Sequence, residues 1–177
     1  MASEFDDEMD RMDELEKEVD HEIAEAVSLN DPLSSLQLSD PIIMNSGDSL
    51  ASMITEMQEK SMGCVLVNEG GKLAGIITER DILLNITGKG LDLEKEAVEN
   101  FMTRSPESLN MDDPVAYALN KMFVGGFRHV PVTDNSGSAV GLVSVVDIVS
   151  HISSFFGQEV LNLPPNPQSS LKTPEGG

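Results

Sequence analysis

The sequence predicts an α/β fold of two tandem βαββα repeats, related by a pseudo-two-fold axis and preceded by an acidic amphipathic helix. The repeat is visible in the sequence itself, because a shift of 65 residues aligns Pro41 with Pro106 and Asp48 with Asp113. With one extra residue in the second copy, Gly75–Ile82 aligns with Gly141–Ile148. The apolar runs in each copy are continuous, which is typical of strands that are buried on both faces.

Each copy contains the same elements in the same order. An extended piece leads to a helix, which we expect Asp48 or Asp113 to cap. Two strands joined by a turn follow, and the second strand opens the last helix. One such unit is too small to bury its own sheet, so we expect the two to share a core. The extended pieces, first strands and second strands of the two copies are Ile42–Asn45 and Glu107–Asn110, Cys64–Asn68 and His129–Thr133, and Leu73–Thr78 and Ala139–Ser144.

The predicted organisation has four parts: an acidic helix over residues 1–32, repeats over 33–97 and 98–157, and a flexible Pro- and Gly-rich tail over 158–177. Residues 1–31 hold thirteen acidic and two basic side chains, a net charge of −11. Apolar residues recur every three or four positions there, from Phe5 to Val27. We expect this apolar stripe to pack on its own domain or on the same helix of a second subunit; the alternative is a docking helix for a different protein.

Charge and cysteine content exclude several classes of function. The net charge of −20 repels phosphate backbones and anionic membranes, so we expect neither nucleic acid nor a membrane as partner. The single cysteine, Cys64, excludes an intramolecular disulfide and a cysteine-based zinc site within one chain. The first residues lack the apolar region of a secretory signal, and no apolar run approaches the ~20 residues of a membrane span. We therefore expect a cytoplasmic protein.

The two strand-to-helix turns carry the most distinctive chemistry. Thr78 and Ser144 end a strand and begin a helix, where their hydroxyls can cap the helix. Asp81 and Asp147 follow three residues later, and a carboxylate there can accept two hydrogen bonds from the cis-diol of a ribose. The alternative is a plain N-cap with an Asp in the first turn, which is common.

Three motifs resemble the CBS domain pair, a family named after the regulatory region of cystathionine β-synthase. They are the Gly-x-x-Thr/Ser-x-x-Asp turn, which occurs twice, the segment Gly126–Val132, and the linking segment Phe101–Pro106. The resemblance covers roughly residues 33–156. It implies a stand-alone CBS pair that binds AMP, ADP, ATP or S-adenosylmethionine in clefts between the repeats. It also implies a homodimer that forms through the helical faces.

The resemblance implies two ligand sites. The better one combines Ser144 and Asp147 with Arg128 and His129 as phosphate contacts, and places the adenine near Ile42 and Met62. The second site combines Thr78 and Asp81 with Thr103 and Phe127. Its repeat equivalents of Arg128 and His129 are Gly63 and Cys64, so Arg80 is its only obvious base.

The sequence therefore predicts a regulatory sensor without catalytic activity, catalytic cofactor or metal. If its ligands are adenine nucleotides such as AMP and ATP, the protein would be suited to sensing the energy state of the cell. The regulated partner is unknown; an acidic helix suits one with a basic surface. One alternative is a ligand-free structural or dimerisation adaptor that acts through this helix. An enzyme is not favoured, because no paired carboxylates, metal-ligand spacing or nucleophile elbow occurs, and Cys64 begins an apolar strand.

Overall fold

The computed structural model describes residues 29–155. Leu29–Ile148 form one compact unit. Val149–Phe155 complete the last helix and belong to a second unit. The predicted acidic helix, apart from residues 29–32, and the predicted tail lie outside the described residues.

Six strands and four helices make up the described fold. The strands are β1 (Ile43–Asn45), β2 (Cys64–Glu69), β3 (Lys72–Thr78), β4 (Thr103–Arg104), β5 (His129–Thr133) and β6 (Ala139–Ser144). The helices are α1 (Leu50–Lys60), α2 (Glu79–Asp81, continued by a π-helix over Ile82–Ile86), α3 (Val115–Gly125) and α4 (Val145–Phe155). Short 3-10 turns lie at Leu33–Ser35 and Val98–Asn100. The predicted α/β class and its two repeats are confirmed.

The two repeats form equivalent strand pairings. In the first, β1 pairs parallel with β2, and β2 pairs antiparallel with β3. In the second, β5 pairs antiparallel with β6. The extended piece predicted at Glu107–Asn110 is reduced to one parallel bridge between Leu109 and Val132, which is the repeat equivalent of the Met44–Val67 pair. Both hairpins contain a register shift at equivalent positions, after Val67 and after Val132.

The prediction that Asp48 and Asp113 cap the following helices is wrong. Ser49 is the N-cap of α1, and its hydroxyl accepts a hydrogen bond from the Ser52 amide at 3.2 Å. Pro114 occupies the N-cap of α3 and makes no side-chain cap. The two aspartates instead accept hydrogen bonds from the amides of Asn45 and Asn110, at 2.8 and 2.7 Å. Each aspartate thus stabilises the turn before its helix.

Each repeat is completed by the linker that precedes the other repeat. The Val98 amide donates to the Asp48 carbonyl, and the Leu33 amide donates to the Asp113 carbonyl, both at 2.9 Å. These two bonds are repeat equivalents. In the same way β4 adds to the edge of β3, and Ser39 forms a bridge with Leu142 of β6. The predicted boundary at residues 97–98 therefore separates segments that are hydrogen-bonded to one another.

Aliphatic side chains fill the interior. One buried cluster is built mainly from the first repeat and includes Leu50, Met53, Val65 and Ile77, each fully buried. A smaller cluster brings Leu142 of the second repeat against Cys64, Leu66 and Ile76 of the first. This contact gives the two repeats the shared core that the sequence predicts, because burial of apolar surface drives their association.

Candidate functional site

A cleft of about 420 Å³ lies within the unit Leu29–Ile148 and is lined by both repeats. This volume lies in the range of roughly 300–1,000 Å³ that is usual for small-molecule sites. The first repeat contributes the β3–α2 turn, the linker contributes the segment around β4, and the second repeat contributes the end of α3 and the start of β5. The lining residues are Gly63, Ile76, Thr78, Glu79, Arg80, Asp81, Thr103, Ser105, Pro106, Glu107, Gly125, Gly126, Phe127, Arg128, His129 and Pro131.

Thr78 and Asp81 form a reciprocal capping box at one wall of the cleft. Asp81 Oδ2 accepts hydrogen bonds from the Thr78 amide at 2.8 Å and from Thr78 Oγ1 at 2.7 Å. Thr78 Oγ1 in turn accepts from the Asp81 amide at 3.4 Å. Both side chains are half-buried. Within residues 29–155 Asp81 Oδ1 makes no hydrogen bond, so this oxygen stays available as an acceptor.

The second repeat contains the same capping box. Asp147 Oδ2 accepts from the Ser144 amide and from Ser144 Oγ, each at 2.7 Å, and Ser144 Oγ accepts from the Asp147 amide at 3.2 Å. The plain capping interpretation is therefore correct for both turns. It leaves ligand binding possible, because only one oxygen of each carboxylate is used by the box.

Two guanidinium groups provide the positive charge of the cleft. Arg80 and Arg128 are both exposed, and neither forms an ion pair with another described residue. The neighbouring His129 is half-buried. Burial, and next the positive charge of Arg128, lower its pKa from the usual 6.5, while Glu79 and Asp147 oppose the shift. The imidazole is therefore largely neutral near pH 7.

Three carboxylates line the same cleft: Glu79, Asp81 and Glu107. Glu107 forms an ion pair with Lys121 of α3 at 2.6 Å, so its charge is partly offset. Glu79 lies next to Gly63: a Cβ built on Gly63 would lie 3.3 Å from the Glu79 carboxylate. A side chain at position 63 would crowd the Glu79 carboxylate, so the glycine leaves room for it.

The apolar part of the cleft is built around Phe127. The ring lies against the backbone of Gly125, because a Cβ built on Gly125 would lie only 2.0 Å from Phe127 Cε1. Gly126 follows with a φ of 68°, a left-handed conformation that ends α3 and is easily adopted by glycine. Pro106 lines the same cleft. An aromatic ring and a proline offer the kind of surface on which a planar base can pack.

The structure changes how the predicted site residues are grouped. All five residues predicted for the second site line the cleft: Thr78, Arg80, Asp81, Thr103 and Phe127. Arg128 and His129, predicted to serve the Ser144–Asp147 site, line this cleft as well. The expectation that the Thr78–Asp81 site lacks these two bases is thus corrected, because β5 of the second repeat begins at the cleft wall.

Arg128 and His129 nevertheless stay adjacent to the other turn. The Arg128 carbonyl accepts a hydrogen bond from the Val145 amide at 3.1 Å, and His129 pairs with Ser144 in the sheet. The remaining residues of the predicted better site, Ile42, Met62, Ser144 and Asp147, do not line the cleft. The side chain of Ile42 is 2% exposed and lies in the core, and its carbonyl accepts from the Leu66 amide. Met62 is half-buried between the two apolar clusters.

Glu79, Glu107 and Gly125 are lining residues that sequence reasoning missed. A usable signal existed for Glu79, which lies inside the Thr78–Asp81 turn. Glu107 follows the linking segment directly. No local sequence pattern indicates Gly125. This residue matters because the ring of Phe127 packs against its backbone.

Cys64 is not equipped to act as a nucleophile. Burial, with a smaller contribution from Glu79, raises the pKa of its thiol to about 12, so the reactive thiolate is scarce at neutral pH. Among residues 29–155 no group of three or more His, Cys, Asp or Glu side chains is placed to hold a metal ion. Over the same range, no helix combines the length and apolar character that crossing a bilayer requires.

A duplicated βαββα scaffold with a cleft lined by both copies defines a tandem-repeat α/β protein. The family model of the CBS domain matches residues 33–88 and 98–154, and the chain belongs to the CBS domain family.

Among curated relatives, the CBS domain-containing protein CBSCBSPB1 of Arabidopsis thaliana is 37% identical over 101 residues, which is 57% of this chain and 19% of that protein. An uncharacterized 17.7 kDa protein of Acidianus ambivalens is 34% identical, over 56% of this chain and 60% of its own length. The chain thus spans about a fifth of the length of the Arabidopsis relative.

Solved structures show the same fold. The CBS domain pair of protein MJ0100, in complex with 5′-methylthioadenosine and S-adenosyl-L-methionine, is 28% identical, with a TM-score of 0.59 over 70% of this chain and 96% of that one. The CBS domain protein PAE2072 from Pyrobaculum aerophilum, complexed with AMP, is 24% identical, with a TM-score of 0.60 over 70% of this chain and 98% of that one.

Proposed function

We propose that the chain is a regulatory module that binds an adenosine-containing ligand in the cleft between its repeats. One observation carries the proposal: the cleft combines Asp81 Oδ1 of one repeat with the guanidinium of Arg128 and the ring of Phe127 of the other, and neither Oδ1 nor the guanidinium is bonded to another side chain within residues 29–155. A ligand that contacts all three would connect the two repeats. Its binding would therefore favour one arrangement of the pair, which is what a regulatory ligand requires.

Each part of an adenosine ligand has a matching group in the cleft. The ribose diol would donate to Asp81, since a carboxylate oxygen is a strong acceptor. The adenine would pack on Phe127 and Pro106. The substituent at the ribose 5′ carbon would lie near Arg80 and Arg128. The similarity to the MJ0100 pair, which is in complex with two adenosine compounds, supports this choice of ligand class.

The ligand is regulatory in this proposal, and no reaction is assigned to the cleft. Two of its carboxylates already have partners that suit a binding role: Asp81 in its capping box, and Glu107 in its ion pair with Lys121. The imidazole of His129 is half-buried and has a lowered pKa, and no activated nucleophile lines the cleft within the described residues.

Calorimetry with a panel of ligands tests the proposal. The panel contains adenosine, 5′-methylthioadenosine, S-adenosylmethionine, AMP, ADP and ATP, with guanosine and 2′-deoxyadenosine as controls. We expect at least one adenosine compound to bind, and 2′-deoxyadenosine to bind roughly 10-fold more weakly than adenosine or worse, because a hydrogen bond to a charged group contributes about 1.5–3 kcal/mol. Absence of binding by every adenosine compound would favour the ligand-free adaptor instead.

We propose in addition that the module is a homodimer which associates through its helical faces. Large apolar side chains on the helices are exposed: Phe123 is 89% exposed on α3, and Leu83 is 67% exposed in the π-helix after α2. A second copy would cover such residues, since burial of apolar surface drives association. Sedimentation should show a dimer for the wild type and a monomer for Phe123→Glu. Val140→Glu, which changes an exposed residue of β6, serves as the control and should leave the dimer intact.

We propose, finally, that ligand binding is signalled to another protein. The segment of residues 1–31, with its net charge of −11, suits a partner with a basic surface. The adjoining linker is hydrogen-bonded to the second repeat at Asp113 and Met111, so a ligand that orders the repeats can also order the linker. Hydrogen exchange of residues 29–42 should slow when ligand binds; unchanged exchange there would remove this route. A cytoplasmic location suits a chain whose only cysteine is a buried free thiol.

A further inference from the structure

The two repeats differ at a pair of equivalent positions beside the cleft. In the first repeat the Glu79 amide donates to the Gly63 carbonyl at 3.0 Å. In the second repeat the Val145 amide donates to the Arg128 carbonyl at 3.1 Å. The backbone hydrogen bond is therefore the same in both copies. The side chains differ, because the first repeat has Gly63 and Glu79 where the second has Arg128 and Val145. The exchange adds a carboxylate to the cleft and removes a potential second base.

The Glu79 carboxylate has space because position 63 has no side chain. A Cβ at Gly63 would lie 3.3 Å from both Cδ and Oε2 of Glu79, which is a tight contact. No ion pair between Glu79 and another described residue neutralises its charge. Its field extends to the start of both central strands, since it raises the pKa values of Cys64 and His129.

The charges of the cleft are close to balanced before any ligand enters. The carboxylates of Glu79, Asp81 and Glu107 line the cleft together with the guanidinium groups of Arg80 and Arg128, and Lys121 offsets Glu107. His129, with its lowered pKa, adds little positive charge near neutral pH. A polyphosphate chain would bring several negative charges into a cleft that has no excess of positive charge. The Glu79 carboxylate repels such a chain, whereas it does not repel a 5′ substituent that is uncharged or cationic.

We infer that Glu79 is a specificity-determining residue, which disfavours adenosine ligands with a polyphosphate chain relative to those with an uncharged or cationic 5′ substituent. The inference rests on the proposed function, because it assumes that an adenosine compound occupies this cleft. It extends that function by naming a chemical class: compounds such as 5′-methylthioadenosine and S-adenosylmethionine bind in preference to ATP.

The test measures the dissociation constants of 5′-methylthioadenosine and ATP, without divalent cations, for the wild type and three variants. Glu79→Gln removes the charge and keeps the shape. Glu79→Val introduces the residue that the second repeat has at this position, so the backbone is known to accept it. Glu94→Gln makes the same change in net charge at an exposed position that does not line the cleft, and is the matched control.

We expect the wild type to bind 5′-methylthioadenosine more tightly than ATP. Both Glu79 variants should bind ATP at least about fivefold more tightly than the wild type does, the effect of one unit charge at about 4 Å in bulk water. Their affinity for 5′-methylthioadenosine should change less than twofold, and Glu94→Gln should match the wild type. The gain for ATP should shrink as salt is added, because salt screens exposed charges.

Three results would overturn the inference. If the wild type binds ATP more tightly than 5′-methylthioadenosine, or if the Glu79 variants change both affinities by the same factor, adenosine binding stands and the specificity assignment falls. If neither compound nor any other adenosine ligand binds the wild type, the proposed function falls and the inference with it. Equal melting temperatures of wild type and variants establish that the comparison is made between folded proteins.

Discussion

The duplicated capping box allows the ligand-binding carboxylate to be tested against its own structural copy. Asp81→Ala and Asp147→Ala each remove one acceptor of two short hydrogen bonds, at 2.8 and 2.7 Å in the first repeat and at 2.7 Å twice in the second. Asp81 is the third residue of the helix in its capping box and not the N-cap, so the loss is that of its hydrogen bonds, and one intramolecular hydrogen bond contributes about 0.5–1.5 kcal/mol net. Because both boxes are half-buried, we expect each variant to lose about 1–2 kcal/mol of unfolding free energy, and the two losses to agree within about 0.5 kcal/mol.

Asp81→Ala and Asp147→Ala should differ in ligand affinity, although they should not differ in stability. Asp81 lines the cleft and Asp147 does not. Asp81→Ala should therefore also lose the hydrogen bonds to the ribose, worth about 1.5–3 kcal/mol, which is a loss of roughly 10- to 150-fold in affinity. Asp147→Ala should stay within about threefold of the wild type. Urea unfolding followed by circular dichroism gives the stabilities, and calorimetry with the best ligand of the panel gives the affinities.

The outcome identifies the ligand site directly. If affinity falls only for Asp147→Ala, the ligand binds beside Ser144, as the sequence alone suggested, and the cleft is not the site. If both variants lose affinity equally, the effect is transmitted through the fold and Asp81 has no direct contact with the ribose. If Asp81→Ala loses several kcal/mol more stability than Asp147→Ala, the two boxes are not equivalent and the comparison fails.

Three further predictions concern residues in or beside the cleft. The pKa of His129 is lowered from 6.5 in the folded protein, so protonation of this imidazole favours the unfolded state. The stability that the neutral imidazole provides is therefore present above about pH 6.5 and is lost as the pH falls below that value. Between about pH 7 and about pH 5, the urea midpoint should decline more for the wild type than for His129→Gln. Since burial raises the pKa of Cys64 to about 12, native protein should resist iodoacetamide at about pH 8 until it is unfolded, and rapid labelling of folded protein would contradict this. Gly125→Ala should weaken ligand binding, because the new Cβ would lie 2.0 Å from Phe127 Cε1 and must displace the ring; calorimetry measures this, and unchanged affinity would show that the ring does not contact the ligand.

Those parts of the fold that depend on local signals were predictable from the sequence. The predicted strand His129–Thr133 has the observed bounds, and the strand predicted at Leu73–Thr78 begins one residue earlier, at Lys72. The Thr78–Asp81 turn also behaves as its residues indicate, because a capping box requires only a hydroxyl and a carboxylate three residues apart. The prediction that Asp48 caps α1 was wrong for a local reason too. Its carboxylate accepts from the Asn45 amide, leaving Ser49 to cap α1.

Features that depend on packing between the repeats were not predictable in this way. Nothing in the linker sequence indicates that Leu33 is hydrogen-bonded to the second repeat and Val98 to the first. The grouping of Arg128 with Thr78 depends on where β5 begins relative to the other repeat, and sequence spacing carries no information about that. Ile42 was expected at a ligand and lies in the core, because its neighbours in space come from strands distant in the sequence.

Duplication explains why the fold is symmetric while its site is not. The bonds that hold each repeat together occur in both copies, from the turns at Asp48 and Asp113 to the capping boxes. These bonds involve the backbone or a few short polar side chains, so they do not depend on the side chains that precede β2 and β5 or begin these strands. At these positions the copies differ: Gly63 is equivalent to Arg128, and the buried Cys64 to His129, which lines the cleft. A single cleft therefore receives the arginine of one copy and the glutamate beside the glycine of the other, and its ligand preference follows from that difference.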